Sequence, residues 1–204
     1  VQEALRDSDA LAKKKIIVAQ LYSDRKEVEP TWKQLSDFIN PYRGRFDYDD
    51  PKEEGRRRDH KILDDYAMHA HSRCAAGLHA GLTSKSRPWF ELSLEDTEKA
   101  KMHEAKIWLD DVRDIMMSIY AKSNAYQMFM QIDAELAEFG TAAAMIFQDY
   151  YTAIRCRPYT CGEYAGMVDA RGRLAKLARK MKMTAYQMVS EFGYDACSSS
   201  VRNA

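Results

Sequence analysis

The sequence predicts an α+β fold: about five helices over residues 1–140, then a strand-rich, mostly antiparallel part over 141–193 that ends in a short helix. Three observations carry that reading. Before Gly140, apolar residues recur at helical spacing in five segments, beginning with spacings of three, four and seven over about Val1 to Glu27. After Gly140 the pattern changes to short strand-like runs. Between the last two runs, Asp169-Ala170-Arg171-Gly172 has the composition of a hairpin turn. A chain of 204 residues, 46% hydrophobic and 30% charged, can bury one sizeable core or two small ones.

The first helix is expected from about Val1 to Glu27, with Leu11, Val18, Leu21, Arg25 and Val28 in one stripe. Pro30 fits only the first turn of a helix, so a second helix starts there, with Trp32, Leu35, Phe38 and Ile39 inward, and Asn40-Pro41 ends it. Residues 41–58 hold two Pro, two Gly and clustered charge without period, the pattern of a long surface loop. Asp59 can cap a third helix whose small side is Ala70, Cys74, Gly77 and Gly81, below Leu63 and Tyr66. Gly77 and Gly81, one turn apart beside Ala80, predict that another element crosses closely there. Arg87-Pro88 then opens an aromatic strand over 88–94 in which Trp89, Glu91 and Ser93 alternate with Phe90, Leu92 and Leu94. Gly77, Gly81, Pro88 and Trp89 thus mark a structural junction.

A fourth helix begins at Glu95 or Asp96-Thr97, with Trp108, Val112, Ile115 and Ile119 as its buried line. Ser123-Asn124 breaks or caps it. The fifth buries Phe129, Ile132, Leu136 and Phe139 and stops at Gly140. Strand-like runs follow at 142–151, 154–159, 164–168 and 174–181, although Ala175 to Ala178 also suit a helix. Thr184 caps a short helix through Phe192, closed by Gly193, and a frayed tail is expected over 194–204.

Thirty-one basic residues balance thirty-one acidic ones, so no global field draws the chain to nucleic acid, membrane or an acidic substrate. Four cysteines form no disulfide framework, and neither a signal peptide nor an apolar run near membrane length is visible, which makes the cytoplasm the default compartment. The chain lacks the glycine-rich nucleotide and phosphate loops, the zinc-protease helix motif and the serine-hydrolase elbow. His69 and His71 stand about 200° apart on a helix and cannot share an ion, so they and His79 are expected at the surface or at caps. Cys156 and Cys161 lack a second pair for zinc and are expected as buried, inert thiols. The pairs Asp64-Asp65 and Asp110-Asp111 point to different helix sides and make no acid–base dyad. No cofactor, metal ligand or catalytic residue is nominated.

One stretch has a nucleic-acid flavour. Arg43, Arg45, Arg56, Arg57, Arg58 and Lys61 are interleaved with Tyr42, Phe46 and Tyr48, side chains that suit phosphates and bases. Asp47, Asp49, Asp50, Glu53 and Glu54 cancel that charge, which favours a solvated or subunit-contact loop. A nucleic-acid-binding module built on residues 42–61 is the alternative.

Five blocks in order resemble one family: WKQLSDFINPYRGRF (32–46), HAGLTSKSRPWFELSL (79–94), IWLDDV (107–112), AEFGTAAAMIFQD (137–149) and CGEYAGMVDARGR (161–173). Together they are similar to the podovirus head-to-tail connector, or portal, proteins, over about Leu21 to Gly193. The resemblance implies a structural protein without enzymatic activity. It implies partnership with itself, in a ring that is dodecameric in the full-length family, and with capsid and tail proteins. It further implies contact with the packaging ATPase (terminase) and with double-stranded DNA through the full-length ring, but none with a membrane. The expected location is the capsid vertex of the virion, and the host cytoplasm during assembly. Family members extend well past residue 204, so the chain is expected to be the N-terminal portion of a portal, with the channel-lining helices and motor contacts largely in the remainder.

Overall fold

The computed structural model describes residues 2–43, 46 and 62–203. It is α+β, as expected, and groups into two compact units. One holds residues 28–44 and 57–161; the other holds 1–27, 45–56 and 162–204. Helices and strands are therefore shared between both units.

In the unit of residues 28–44 and 57–161, α2 spans Glu29–Ile39 with its proline in the first turn, where the missing N–H would find no partner anyway. Asn40 ends it before a 3-10 turn at Pro41–Arg43. Next come α3 (Tyr66–Leu82), α4 (Thr97–Ala100), α5 (His103–Lys122) and α6 (Ala125–Phe139). The unit closes with an antiparallel hairpin, β1 (Ala143–Asp149) on β2 (Ala153–Tyr159), in a register running from Ala143↔Tyr159 to Asp149↔Ala153. Helix α6 is the organising element and packs on α3, α2 and β2. Ala125, Met128 and Cys156 form the core there, surrounded by Tyr120, Phe129, Ile132, Ala144 and Ile154. Gly140 ends α6 at φ 71°, in the left-handed conformation that glycine adopts without steric cost, and its N–H closes on the Leu136 carbonyl.

In the unit of residues 1–27, 45–56 and 162–204, α1 (Gln2–Arg25) packs its C-terminal end on a second hairpin, β3 (Tyr164–Val168) with β4 (Leu174–Arg179). Leu21, Ala165 and Ala178 are its buried apolar cluster, with Tyr22 against them. Arg25 donates to the carbonyls of Gly162 (2.8 Å) and Tyr164 (2.9 Å), and Arg179 meets the buried Glu163 carboxylate at 2.8 Å. Gly162 sits at φ 100°, and a Cβ there would run into the Phe46 carbonyl oxygen. The Asp169–Gly172 turn forms as expected, with the Asp169 carboxylate accepting from the N–H groups of Arg171 (2.8 Å) and Arg173 (2.9 Å). Helix α7 (Ala185–Phe192) starts on a complete capping box between Thr184 and Gln187.

Several expectations are corrected. Residues 62–65 are not helical: α3 begins at Tyr66, and Leu63 and Tyr66 are exposed because no turn precedes them to fold them in. The Asp59 cap lies outside the described residues. Residues 88–94 form neither helix nor strand and pair with no strand among the described residues; Trp89 and Phe90 both turn to aromatic neighbours instead of alternating between two faces. The fourth helix is two helices, broken at Lys101-Met102. Asp96 caps the first piece by accepting from the N–H groups of Glu98 and Lys99, which lowers its pKa below the usual carboxylate value. Phe38, expected inward, is half exposed, and Ser36 occupies the buried position of α2. The tail folds into a turn and a single helical turn, α8 (Ser199–Arg202), held by Arg202 on the carbonyls of Asp195 and Cys197 (both 2.8 Å).

Candidate assembly surface

The junction residues separate into an open and a packed group. Gly77 and Gly81 share an exposed side of α3 with Ala70 and Cys74, and a Cβ on either glycine would meet nothing within 4 Å. The predicted close crossing is therefore absent among the described residues. Helix α3 buries the opposite side, around Ala75, against α6. Pro88 is exposed, whereas Trp89 enters a cluster with Phe90 (4.9 Å between ring centroids), Phe129 (5.5 Å) and Tyr120 (6.0 Å). The edge-to-face contacts of Phe90 with Tyr120 and of Trp89 with Phe129 fix the segment to α5 and α6 without strand pairing.

The face between α3 and α6 carries a polar seam that the sequence reading missed. His71 donates from Nε2 to the Ala134 carbonyl at 3.0 Å, with Glu138 Oε2 4.0 Å away. Asn40 donates to the same carboxylate oxygen at 3.4 Å. His79 Nδ1 lies 3.4 Å from Asp133 Oδ2 and 3.1 Å from the Thr83 hydroxyl. Glu135, also buried, accepts from the Cys161 N–H at 2.7 Å. His71, expected at the surface or at a cap, thus lies against a buried acid in mid-helix, whereas His79 is at the α3 C-cap, beside Thr83, and His69, paired with Asp65, is at the surface, both as expected. The available signal was α6 itself, AYQMFMQIDAELAEF, which carries three acids and no base, so their partners had to come from other elements. These contacts pin helix to helix.

The thiols of Cys156 and Cys161 are buried as expected, and burial raises the Cys156 pKa above the ordinary thiol value. Of the basic stretch, Arg43 lies in the 3-10 turn; its side chain and the residues Arg45, Arg56, Arg57, Arg58 and Lys61 lie outside the described residues. Tyr42 is exposed, while Phe46, read as an exposed loop aromatic, is buried.

Where chemistry is sparse, open apolar surface is prominent. On α5, Trp108 and Ile115 are each 60% exposed, although the sequence places them on a buried line. Val112 and Ile119 on that line are half-buried. Arg113 is held by Asp110 (2.7 Å) and Asp114 (2.9 Å), and the Asp114 bond raises its pKa. Asp111, beside Trp108 and Ile115, makes no ion pair among the described residues. On the first hairpin, Met145 and Ile146 in the middle of β1 and Tyr150 and Tyr151 in the loop after it are exposed. On α1 every residue from Ala10 to Gln20 is exposed, including Leu11, Ile16, Ile17 and Val18. Among the described residues no helix is long and apolar enough to cross a membrane.

A family model described as "Bacteriophage head to tail connecting protein" matches residues 12–204. The chain is 38% identical over 184 residues to the "Probable portal protein" of Bordetella phage BPP-1, covering 90% of this chain and 33% of that protein. It is 38% identical over 185 residues to the "Portal protein" of Salmonella phage epsilon15, covering 91% and 33%. The chain spans about a third of the length of these curated relatives.

Proposed function

Because the chain belongs to the bacteriophage head to tail connecting protein family, we propose that it is a structural part of a phage portal, the ring that joins capsid to tail at one vertex. The observation that carries this reading is the family match over residues 12–204, supported by 38% identity to two phage portal proteins. In this reading the protein assembles with copies of itself around a channel for double-stranded DNA, and its other partners are capsid proteins, tail proteins and the packaging ATPase (terminase). Its place is the capsid vertex of the virion, reached by assembly in the host cytoplasm. Such a role needs surfaces and a stiff frame, and no catalytic group. The open apolar faces of α5 and α1 supply surfaces, and the polar seam between α3 and α6 stiffens the helical unit. The basic stretch Arg43, Arg45, Arg56, Arg57, Arg58 and Lys61 serves as a subunit or DNA contact. A protein of the relatives' full length carrying these residues should elute from a sizing column with the light-scattering mass of a large ring. A strictly monomeric mass would overturn the reading.

A further inference from the structure

We propose that the α5 face of one copy docks in the α1 groove of the next, a head-to-tail contact between two unlike surfaces of the same chain; it rests on the ring reading and names the residues that meet.

The two surfaces match in spacing and in charge. On α5 the exposed residues Trp108, Asp111 and Ile115 stand at i, i+3 and i+7. On α1, Leu11, Lys14, Lys15 and Val18 stand at i, i+3, i+4 and i+7, and line a groove of about 510 Å³ bounded by Tyr22 and Lys180. Each surface therefore has two apolar side chains about 10 Å apart along the helix axis with charge between them. The charges are opposite. Arg113 already holds Asp110 and Asp114, which leaves Asp111 without an ion pair among the described residues. Among the described residues Lys14 and Lys15 make no ion pair either, and no acidic residue occurs between Ala10 and Ser23. Lys180 lies over the Tyr22 ring at 4.6 Å and forms a basic rim.

Docking these faces would remove Trp108, Ile115, Leu11 and Val18 from water and set Asp111 against the lysines in a partly desolvated contact, where opposite charge selects the partner and the register. The α1 helix has its own reason to need a neighbour. A helix exposed on all sides from residue 10 to residue 20 gains little from its chain beyond its own hydrogen bonds. Because the two surfaces differ, the contact repeats from copy to copy and closes into a ring where the rotation permits, whereas a like-with-like contact would stop at a dimer.

The test mixes two variants of the 204-residue chain. In one, Trp108→Gln and Ile115→Gln spoil the α5 face; in the other, Leu11→Gln and Val18→Gln spoil the α1 groove. Glutamine is neutral and helix-compatible, and all four positions are exposed, so folding is retained and is checked by circular dichroism. By sedimentation, the unsubstituted chain should associate as concentration rises, and each variant alone should associate roughly tenfold or more weakly. The mixture should form a one-to-one complex of twice the 23.5 kDa chain mass and grow no further, because only one good face of each kind is present. A second test stays within one chain: Asp111→Lys should weaken association, and adding Lys14→Asp with Lys15→Asp should restore it. Self-association of either Gln variant at wild-type strength would overturn the proposal, as would a mixture without complex, or an unsubstituted chain monomeric at about 1 mM. None of these touches the ring reading, which is judged on the mass of the full-length protein; rings there that ignore both variants would refute this contact alone.

Discussion

Asn124 offers a stringent test of how the helical part of its unit is fastened to the hairpin. Its side-chain amide donates to the Cys156 carbonyl at 2.7 Å and accepts from the Cys156 N–H at 2.8 Å, so one side chain takes the place of a neighbouring strand on the outer edge of β2. Asparagine is a preferred helix N-cap, yet this one makes no side-chain cap bond; the Ser123 hydroxyl accepts from the Ala125 N–H instead, at 3.2 Å. Asn124→Ala removes both bonds and leaves the backbone N–H and C=O of a buried residue without them. Each neutral bond contributes about 1 kcal/mol net, and the penalty for unsatisfied groups raises the expected loss to about 2–4 kcal/mol. Asn124→Asp should be at least as costly, since it keeps the acceptor but aims a carboxylate oxygen at the Cys156 carbonyl.

Urea unfolding followed by tryptophan emission measures this directly, because Trp89 packs on Tyr120 and Phe129, next to the hinge. Thiol labelling gives a second readout. Cys156 is buried with a raised pKa and should react slowly in the intact chain, while the exposed Cys74 reacts at once. Asn124→Ala should speed labelling of Cys156 by exposing the strand edge. A midpoint shift equivalent to less than about 0.5 kcal/mol, with Cys156 labelling unchanged, would mean that water replaces the amide freely and that the hinge argument is wrong.

Four further outcomes are expected. Gly162→Ala should destabilise by about 2 kcal/mol or more, since φ is 100° and the new Cβ meets the Phe46 carbonyl; an unchanged thermal midpoint would refute this. Gly77→Leu, by contrast, should leave the midpoint unchanged or raise it, because the position is open and leucine is the better helix former; a marked drop would restore the close crossing read from the sequence. Asp96 and Asp149 have pKa values lowered by hydrogen bonds, to Lys99 and Thr152 respectively, so each stabilises above the ordinary carboxylate value of 3.8 and loses that contribution as pH falls through its lower folded value. Unfolding of Asp96→Asn and Asp149→Asn variants across acidic pH should therefore show a flatter decline than the parent chain. Neutralising Arg56, Arg57 and Arg58 together should leave DNA affinity negligible before and after, given zero net charge; submicromolar binding at physiological salt that the triple change abolishes would reverse this.

What could be read from the chain divides by the range of the forces involved. Local chemistry was legible: proline in the first turn of α2, Gly140 at the end of α6, the Asp169–Gly172 turn and the Thr184 cap are each decided by a few adjacent residues. The first hairpin was legible only as two strand-like runs; its pairing was not. Residues 88–94 failed for the opposite reason. Their alternation met the pattern of a strand, but strand formation needs a partner edge, and the aromatic neighbours of Trp89 and Phe90 come from α5 and α6, distant in sequence. The seam of His71 and His79 against Glu138 and Asp133 was hidden in the same way. A histidine on a helix gives no sign of which acid the fold brings to it.

The line Trp108, Val112, Ile115 and Ile119 failed differently. Its helical period is correct, and α5 forms where the period puts it. Hydrophobic spacing records which side of a helix must leave water in the working state; it carries no record of whether the covering surface belongs to the same chain. In this structure Val112 and Ile119 are half-covered from within, and Trp108 and Ile115 remain open. A polar substitution at Trp108 should therefore leave the unfolding free energy of the isolated chain within about 0.5 kcal/mol, as at an exposed site. The same substitution at Met128, where the side chain is 3% exposed, should remove about 2–5 kcal/mol. If Trp108→Gln instead destabilised the monomer as strongly as Met128→Gln, the line would be covered by the chain itself, and α5 would have no face left to offer a neighbour.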